Sequence, residues 1–299
     1  MPFPPLQTFR PPLGTHLTTW RTRSALAALA LPCLLIALAT PSAHAQGYTV
    51  SPADSLRQAQ DSIIAAANRA IAGDSTLVDE YAKIIAIHKS RKHYEKTLDI
   101  ATRMQMRNPG SALANFAQGD AELDNGIPDR AIAPLWRALT IDPTFVRARV
   151  TLAEAYTMLK SYDTALAHLD TALGYNPRYA QAHVQRATLL TQMGRDSEAV
   201  ESYRSASELL PDTFGPWLKL GRALVKVGIY DEAIEALTYA MSLNNASADA
   251  LYLLAEAHEK AGHAAEAASS YERFMLRFPT DRRALDAERA ARALNAGTH

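Results

Sequence analysis

The stretch that decides the fold runs from Phe214 to Ser247 and reads FGPWLKLGRALVKVGIYDEAIEALTYAMSLNNAS. It contains two amphipathic segments, Phe214–Lys226 and Asp231–Leu243, each of 13 residues, an ordinary helix length. Gly228 stands between them, where a glycine can take the left-handed conformation that ends a first helix. The stretch predicts a helix, a tight turn and a second helix. Such a pair buries only part of its apolar surface, so it needs neighbours of its own kind.

Moving outward in both directions, the same pattern returns every 34 residues. Pro109, Pro143, Pro177 and Pro211 fall on that step, then Asn245, then Pro279. The step also links Gly119, Ala153, Ala187, Gly221 and Ala255. It links Ala131, Ala165, Ala199, Ala233 and Ala267, and again Ala138, Ala172, Ala206 and Ala240. The prolines end the second helix of each unit, because inside it they would remove a donor and clash with the preceding turn. The Gly/Ala columns lie mid-helix and let axes approach closely. Leu135, Leu169, Tyr203, Leu237 and Tyr271 fill the space beside them. Gly126, Gly194 and Gly262 repeat the turn of Gly228.

These residues resemble the tetratricopeptide repeat (TPR) family. Trp217-x-x-Leu220-Gly221-x-x-Leu224, with Ala233, Leu237 and Ala240, matches the family signature, and Ala153, Tyr156, Ala165, Leu169, Ala172 and Pro177 carry its tyrosine form. The resemblance implies an all-α fold, a right-handed α-solenoid of stacked helix-turn-helix repeats with N- and C-terminal capping helices. It covers six units: 78–111, 112–145, 146–179, 180–213, 214–247 and 248–281. The first unit is degenerate, with Ile85 and Thr97 where small residues are expected. The last places Phe274 in an alanine column and adds Phe278 before Pro279, and resembles repeats of bacterial envelope-assembly TPR proteins. End repeats are expected to be atypical, having a neighbour on one side only.

Residues 46–77 read as an N-terminal half-repeat cap. Ser51-Pro52 starts its helix, and Leu56, Ile63, Ala67, Ala70 and Ile71 share one face before Gly73. Residues 282–299 read as a C-terminal capping helix and short tail. Its helix is expected over Asp281–Leu294, with Ala284, Leu285, Ala287, Ala291 and Leu294 covering the last unit.

Residues 1–45 are expected to be a secretory signal peptide. Arg10, Arg21 and Arg23 precede an apolar run from Ser24 to Thr40, and Ala43-His44-Ala45 supplies a small-x-small cleavage site. An uncleaved anchor competes, but the run has 17 residues with Pro32 at its centre, short of the ~20 that span a bilayer comfortably. The expected compartment is the periplasm or exterior, in association with the cell envelope. Membrane insertion is not expected after cleavage. The chain has 31 basic and 31 acidic residues. Without residues 1–45 it has 28 basic and 31 acidic, a net of −3 over 254 residues. Neither balance supports a bulk nucleic-acid binder. The single cysteine, Cys33, lies in the apolar run and excludes a disulfide framework.

Catalysis is not expected: residues 46–299 contain no HExxH, GxSxG, Walker loop or GxGxxG. Nor is a cofactor or metal. The pairs His88/His93 and His258/His263 are five residues apart, which does not put two imidazoles on one helix face. Binding is the better candidate. In TPR arrays the first helices line a concave groove that holds peptides. Carried to this sequence, the groove's apolar column is Phe116, Val150, Val184, Leu218 and Tyr252. Beside it run Asp120, Glu154, Thr188, Arg222 and Glu256, with Lys219 and Lys226 flanking Arg222 and Asp124 flanking Asp120. The groove is then acidic in units two and three and basic in unit five, and an apolar stripe with separated charge blocks can fix the direction of a peptide as well as its register. The family's carboxylate-clamp activity is not expected, since Val, Thr, Gln and acids stand where that version carries Lys and Asn. The expected function is thus a non-enzymatic, exported scaffold for a protein or peptide segment. The alternatives are self-association through the end caps, with Phe274 and Phe278 as contacts, and service as the accessory subunit of an enzyme complex.

Overall fold

A computed structural model describes residues 51–297. The signal-peptide expectation falls on residues 1–45, outside the described residues. Of the N-terminal unit, Met1–Ile63, residues 51–63 are described, helical from Pro52; residues from Ile64 onward form a second unit.

Among the described residues there are fourteen helices and no strand. Helix α1 is Pro52–Gly73. Six pairs follow: α2 (Val78–Ser90) with α3 (Tyr94–Arg107), α4 (Ala112–Asp124) with α5 (Pro128–Ile141), and α6 (Val146–Met158) with α7 (Tyr162–Tyr175). Next come α8 (Ala180–Gln192) with α9 (Asp196–Leu209), α10 (Phe214–Val227) with α11 (Tyr230–Leu243), and α12 (Ala248–Lys260) with α13 (Ala264–Arg277). The last helix is α14, Ala284–Gly297. From α2 on, each helix packs on the next, and most first helices touch across successive units, as α4 does with α6. The array is an all-α solenoid.

Three recurring devices explain why this sequence holds that geometry. The turn inside every pair passes through a left-handed residue: Gly126, Gly194, Gly228 and Gly262 at φ of 78°, 75°, 84° and 82°. In two units the same column holds lysine, Lys92 at 57° and Lys160 at 61°, which the glycine signal could not reveal. The second device is close approach. A Cβ on Gly221 would sit 2.5 Å from Leu237 Cγ, and one on Gly119 would sit 2.6 Å from Leu135 Cγ. The third clasps four of the repeat junctions. The side chain six residues after a junction proline donates to that proline's carbonyl: Asn115 to Pro109 (2.8 Å), Arg149 to Pro143 (2.8 Å) and Trp217 to Pro211 (2.9 Å). The His183 ring nitrogen makes the same contact with Pro177 at 2.8 Å. A carbonyl between helices has no helical partner, so four chemically different side chains meet one demand. At the next junction Asn245 still presents a backbone carbonyl, but the donor position holds the buried Leu251, so the donor half of the clasp is absent there.

The core is a run of apolar clusters along the array. Tyr81, Ala101, Met104 and Ala121 form the first. Leu135, Ala138, Leu152 and Ala155 form the second. The largest spans the middle units through Leu169, Leu190, Tyr203, Leu224 and Leu237. The last joins Leu251, Tyr271 and Phe274 to Ala287 and Ala291 of α14. In α1, Ala67 is buried and Ile71 packs on the first cluster. Leu285 does not cover the last unit: it is 64% exposed, because α14 begins at Ala284 and turns Ala287, Ala290, Ala291 and Leu294 inward instead.

Candidate peptide-binding groove

The first helices α4, α6, α8, α10 and α12 carry the expected groove residues, but not all of them reach its surface. Phe116 and Val150 are each only 3% exposed and belong to the core. Phe116 is roofed by Arg147, whose guanidinium lies 4.7 Å above its ring, and flanked by Phe145 at 5.1 Å. Column position predicted the side of the helix, and could not show that the neighbouring unit closes over it. Val184, Leu218 and Tyr252 are half-buried and present apolar surface. Tyr252 is partly roofed in its turn, by Arg283 at 4.9 Å, and packs edge-on against Phe274.

The charges pair more than the sequence suggested. Lys89, on α2, reaches both Asp120 (2.6 Å) and Asp124 (2.8 Å). Burial alone would push its ammonium down, but the two carboxylates outweigh that and hold it above the usual lysine value. Glu154 lies beyond, accepting from Gln185 at 2.9 Å. Lost hydration pushes its carboxyl up and the Gln185 hydrogen bond opposes this. Asp120 and Asp124 add to the rise, Lys89 counters it, and the net shift is upward. Three carboxylates against one ammonium leave this stretch acidic, and Glu154 is short of a cation. No residue type in one column reports Lys89, since it arrives from the preceding unit at a different register.

At the other end, Arg222 pairs with Asp249 at 3.0 Å and Lys226 with Asp196 at 2.8 Å. Asp249 also holds Arg283 at 2.9 Å, and Arg283 closes on Asp281, whose carboxyl is drawn down to about 2 by that side chain and by the Arg283 amide. Glu256 pairs with Lys260 at 2.6 Å. Lys219 is exposed and has no acidic partner among the described residues. Thr188 is turned back on its own helix, donating to the Val184 carbonyl at 2.8 Å. Among the described residues, the groove is therefore acidic over α4 and α6, nearly neutral in the middle, and carries at α10 a lysine with no acidic partner.

Two further features escaped the sequence reading. Trp136 on α5 is 44% exposed and donates to the Tyr156 hydroxyl at 3.3 Å, while Tyr156 stacks on His168 at 5.5 Å between centroids. Glu122 is 8% exposed, in the column that elsewhere holds Tyr156, Leu190 and Leu224, and its Oε2 has no hydrogen-bond partner. The histidine pairs do come together, with rings 5.7 Å apart in each. Among the described residues, no group of three or more His, Cys, Asp or Glu side chains is placed to hold a metal ion. No helix among them is long and apolar enough to cross a membrane.

The helical pairs, their 34-residue step and their glycine turns define a class, the helical-repeat scaffold. Two family models, both of the tetratricopeptide repeat, match residues 95–144 and 218–282, and residues 157–224. The chain belongs to the tetratricopeptide repeat family, whose repeats build protein-interaction scaffolds and are generally non-enzymatic. Among solved structures it is similar to PilF of Pseudomonas aeruginosa (TM-score 0.60, 18% identity, 71% of this chain and 96% of that one). It is also similar to YrrB, described as a TPR protein with an unusual peptide-binding site (0.57, 19%, 63% and 97%). A third is MamA of Desulfovibrio magneticus RS-1 (0.52, 17%, 57% and 97%). At these identities the likeness is one of fold. A curated relative, the peroxisomal targeting signal receptor of Candida glabrata, is 26% identical over 129 residues. That is 43% of this chain, and it spans 22% of the receptor's length.

Proposed function

We propose that this protein is an exported, non-enzymatic scaffold whose first helices bind an extended protein or peptide segment. The observation that carries this reading is the half-buried apolar line of Val184, Leu218 and Tyr252, with a carboxylate cluster beyond its α8 end and the exposed Lys219 beside Leu218. Apolar surface provides affinity, and separated charges of opposite sign provide direction. Export rests on the composition of residues 1–45. The curated relative is named a targeting-signal receptor, and this name agrees with a role in holding a protein segment; the match spans 22% of the receptor's length.

The test is affinity capture from envelope extracts, comparing the protein with its Val184→Asp/Leu218→Asp variant after circular dichroism has shown both to be helical. The reading expects the captured partner to be lost with the variant. Equal capture by both rejects it.

A second reading, self-association at the C-terminal end, is favoured by the exposure of Leu276 (83%) and Leu285 (64%). Phe274 cannot serve there as the sequence suggested, because it is fully buried among Tyr252, Tyr271 and Phe278. Light scattering of a Leu276→Asp/Leu285→Asp variant tests it: a concentration-dependent mass should disappear, and a mass unaffected by the substitutions counts against it.

A further inference from the structure

The groove is not uniform along its length. At the second position of each first helix from α4 on, steps of 34 residues link Leu113, Arg147, Gln181, Gly215 and Asp249, and the step continues to Arg283 just before α14. Three of these side chains close over the unit before: Arg147 roofs Phe116, Arg283 roofs Tyr252, and Asp249 ties down Arg222. Gly215 has no side chain, and a Cβ built on it would meet nothing within 4 Å. The same junction differs in the backbone. First helices of successive units touch at α2–α4, α4–α6, α6–α8 and α10–α12, whereas the contact between α8 and α10 is slighter. Val184, on the α8 side of this opening, is half-buried yet joins none of the apolar core clusters, unlike Leu218 opposite it.

From this we infer that the partner is a peptide segment of defined charge order, with one large apolar side chain seated between Val184 and Leu218 above Gly215, an acidic residue beside it on Lys219, and a basic residue further along on Glu154 and Asp124. The inference rests on the groove reading above and specifies its ligand. Gly215, Leu218, Lys219 and Arg222 share one face of α10, so the apolar seat and the exposed lysine are adjacent. Arg222 is paired with Asp249, but both side chains are about half exposed, and an exposed pair of that kind is readily exchanged for a ligand carboxylate. At the other end Glu154, pushed up by lost hydration and by its two acidic neighbours, gains from a ligand ammonium. Packed helices lie about 10 Å apart, so α6 to α10 spans roughly 20 Å or a little more. An extended chain covers that in about six or seven residues.

The test is fluorescence anisotropy with the full chain at low salt, using labelled, end-blocked peptides KKSTSLEE and its reverse EELSTSKK. The order of charge is fixed by the groove, whereas chain direction is open. The controls are the charge-shuffled KESLTSEK and the anchorless KKSTSSEE. One of the two ordered peptides should bind at least about tenfold more tightly than either control. Gly215→Gln, which supplies the side chain that α8 carries at Gln181, should keep the helical spectrum and weaken binding by at least about tenfold. Lys219→Glu should weaken it about threefold or more at low salt, and less at high salt. If the peptides bind in any charge order, with no response to Gly215→Gln but with loss in Val184→Asp/Leu218→Asp, this inference is overturned while the groove reading survives. If none of the peptides binds, both fall.

Discussion

Gly221→Ala should destabilise the protein, and it should do so through one neighbour. The added methyl would lie 2.5 Å from Leu237 Cγ, 2.7 Å from Cδ2 and 3.3 Å from Cδ1, and Leu237 is fully buried. Cγ is the branch point of the side chain, so a rotation of the tip does not relieve the contact. Overpacking of this kind costs ~1–3 kcal/mol. Replacing a mid-helix glycine by alanine returns ~1 kcal/mol of helix propensity, leaving a net loss of up to about 2 kcal/mol. Leu237→Ala alone opens a cavity in the largest cluster and should cost ~3–5 kcal/mol. In that background the clash is gone and the methyl partly fills the hole. Gly221→Ala should therefore change sign and stabilise, a coupling of about 2 kcal/mol. Gly119→Ala gives the contrast. Its methyl would also meet the Ala131 carbonyl oxygen at 3.0 Å, backbone that cannot turn away, so Leu135→Ala should rescue it only in part. Urea unfolding followed by circular dichroism, with Trp217 fluorescence as a probe of the same unit, measures all four variants of each cycle. Additive effects, or a Gly221→Ala that stabilises the protein with Leu237 in place, would refute close packing as the reason for glycine in this column.

Other outcomes follow from single positions. Lys160→Gly should stabilise by ~1 kcal/mol, because Lys160 is held at a φ of 61° that glycine adopts without a Cβ penalty, and its thermal midpoint should rise accordingly. Glu122→Leu, which installs the residue of units four and five in that column, should stabilise by ~1–3 kcal/mol by removing a buried carboxylate oxygen with no partner. His258 is held below its ordinary 6.5, first by burial and then by His263, and His168 is held below it by burial and by Arg149. Each folded imidazole therefore resists the proton that the unfolded one accepts near 6.5. Their stabilising contribution is present above that value and declines as pH falls below it. Urea midpoints should drop between pH 7.5 and 5.5, and His258→Gln should flatten the drop.

Much of the architecture was legible because it rests on residues whose chemistry leaves few options. The columns Ala131–Ala267 and Gly119–Ala255 repeat a steric demand, and the prolines repeat a missing donor, so a fixed step of 34 residues exposes both. The site was less legible. The sequence gives the side of a helix on which Phe116 and Val150 lie, but their burial is decided by Arg147 and the packing of the adjoining unit. Lys89 was invisible for the same reason: its partners are 31 and 35 residues away, off the repeat step. Phe274 was misplaced as a contact because a large apolar residue in an alanine column looks like surplus, whereas α14 supplies the small partners Ala287 and Ala291 that make room for it. What differs from the repeat, Gly215 at the opening and Leu251 at the missing clasp, turned out to matter as much as what obeys it.

Site-directed photo-crosslinking tests the central claim most directly. A benzoylphenylalanine at position 184, between α8 and α10, is compared with one at position 239, whose tyrosine is 40% exposed on the second helix α11. With envelope extract as the source of partner, covalent adducts should form from position 184 and be absent from position 239. The Gly215→Gln substitution should abolish the adduct from 184. Adducts from 239 with none from 184 would place the partner on the second helices and contradict the account.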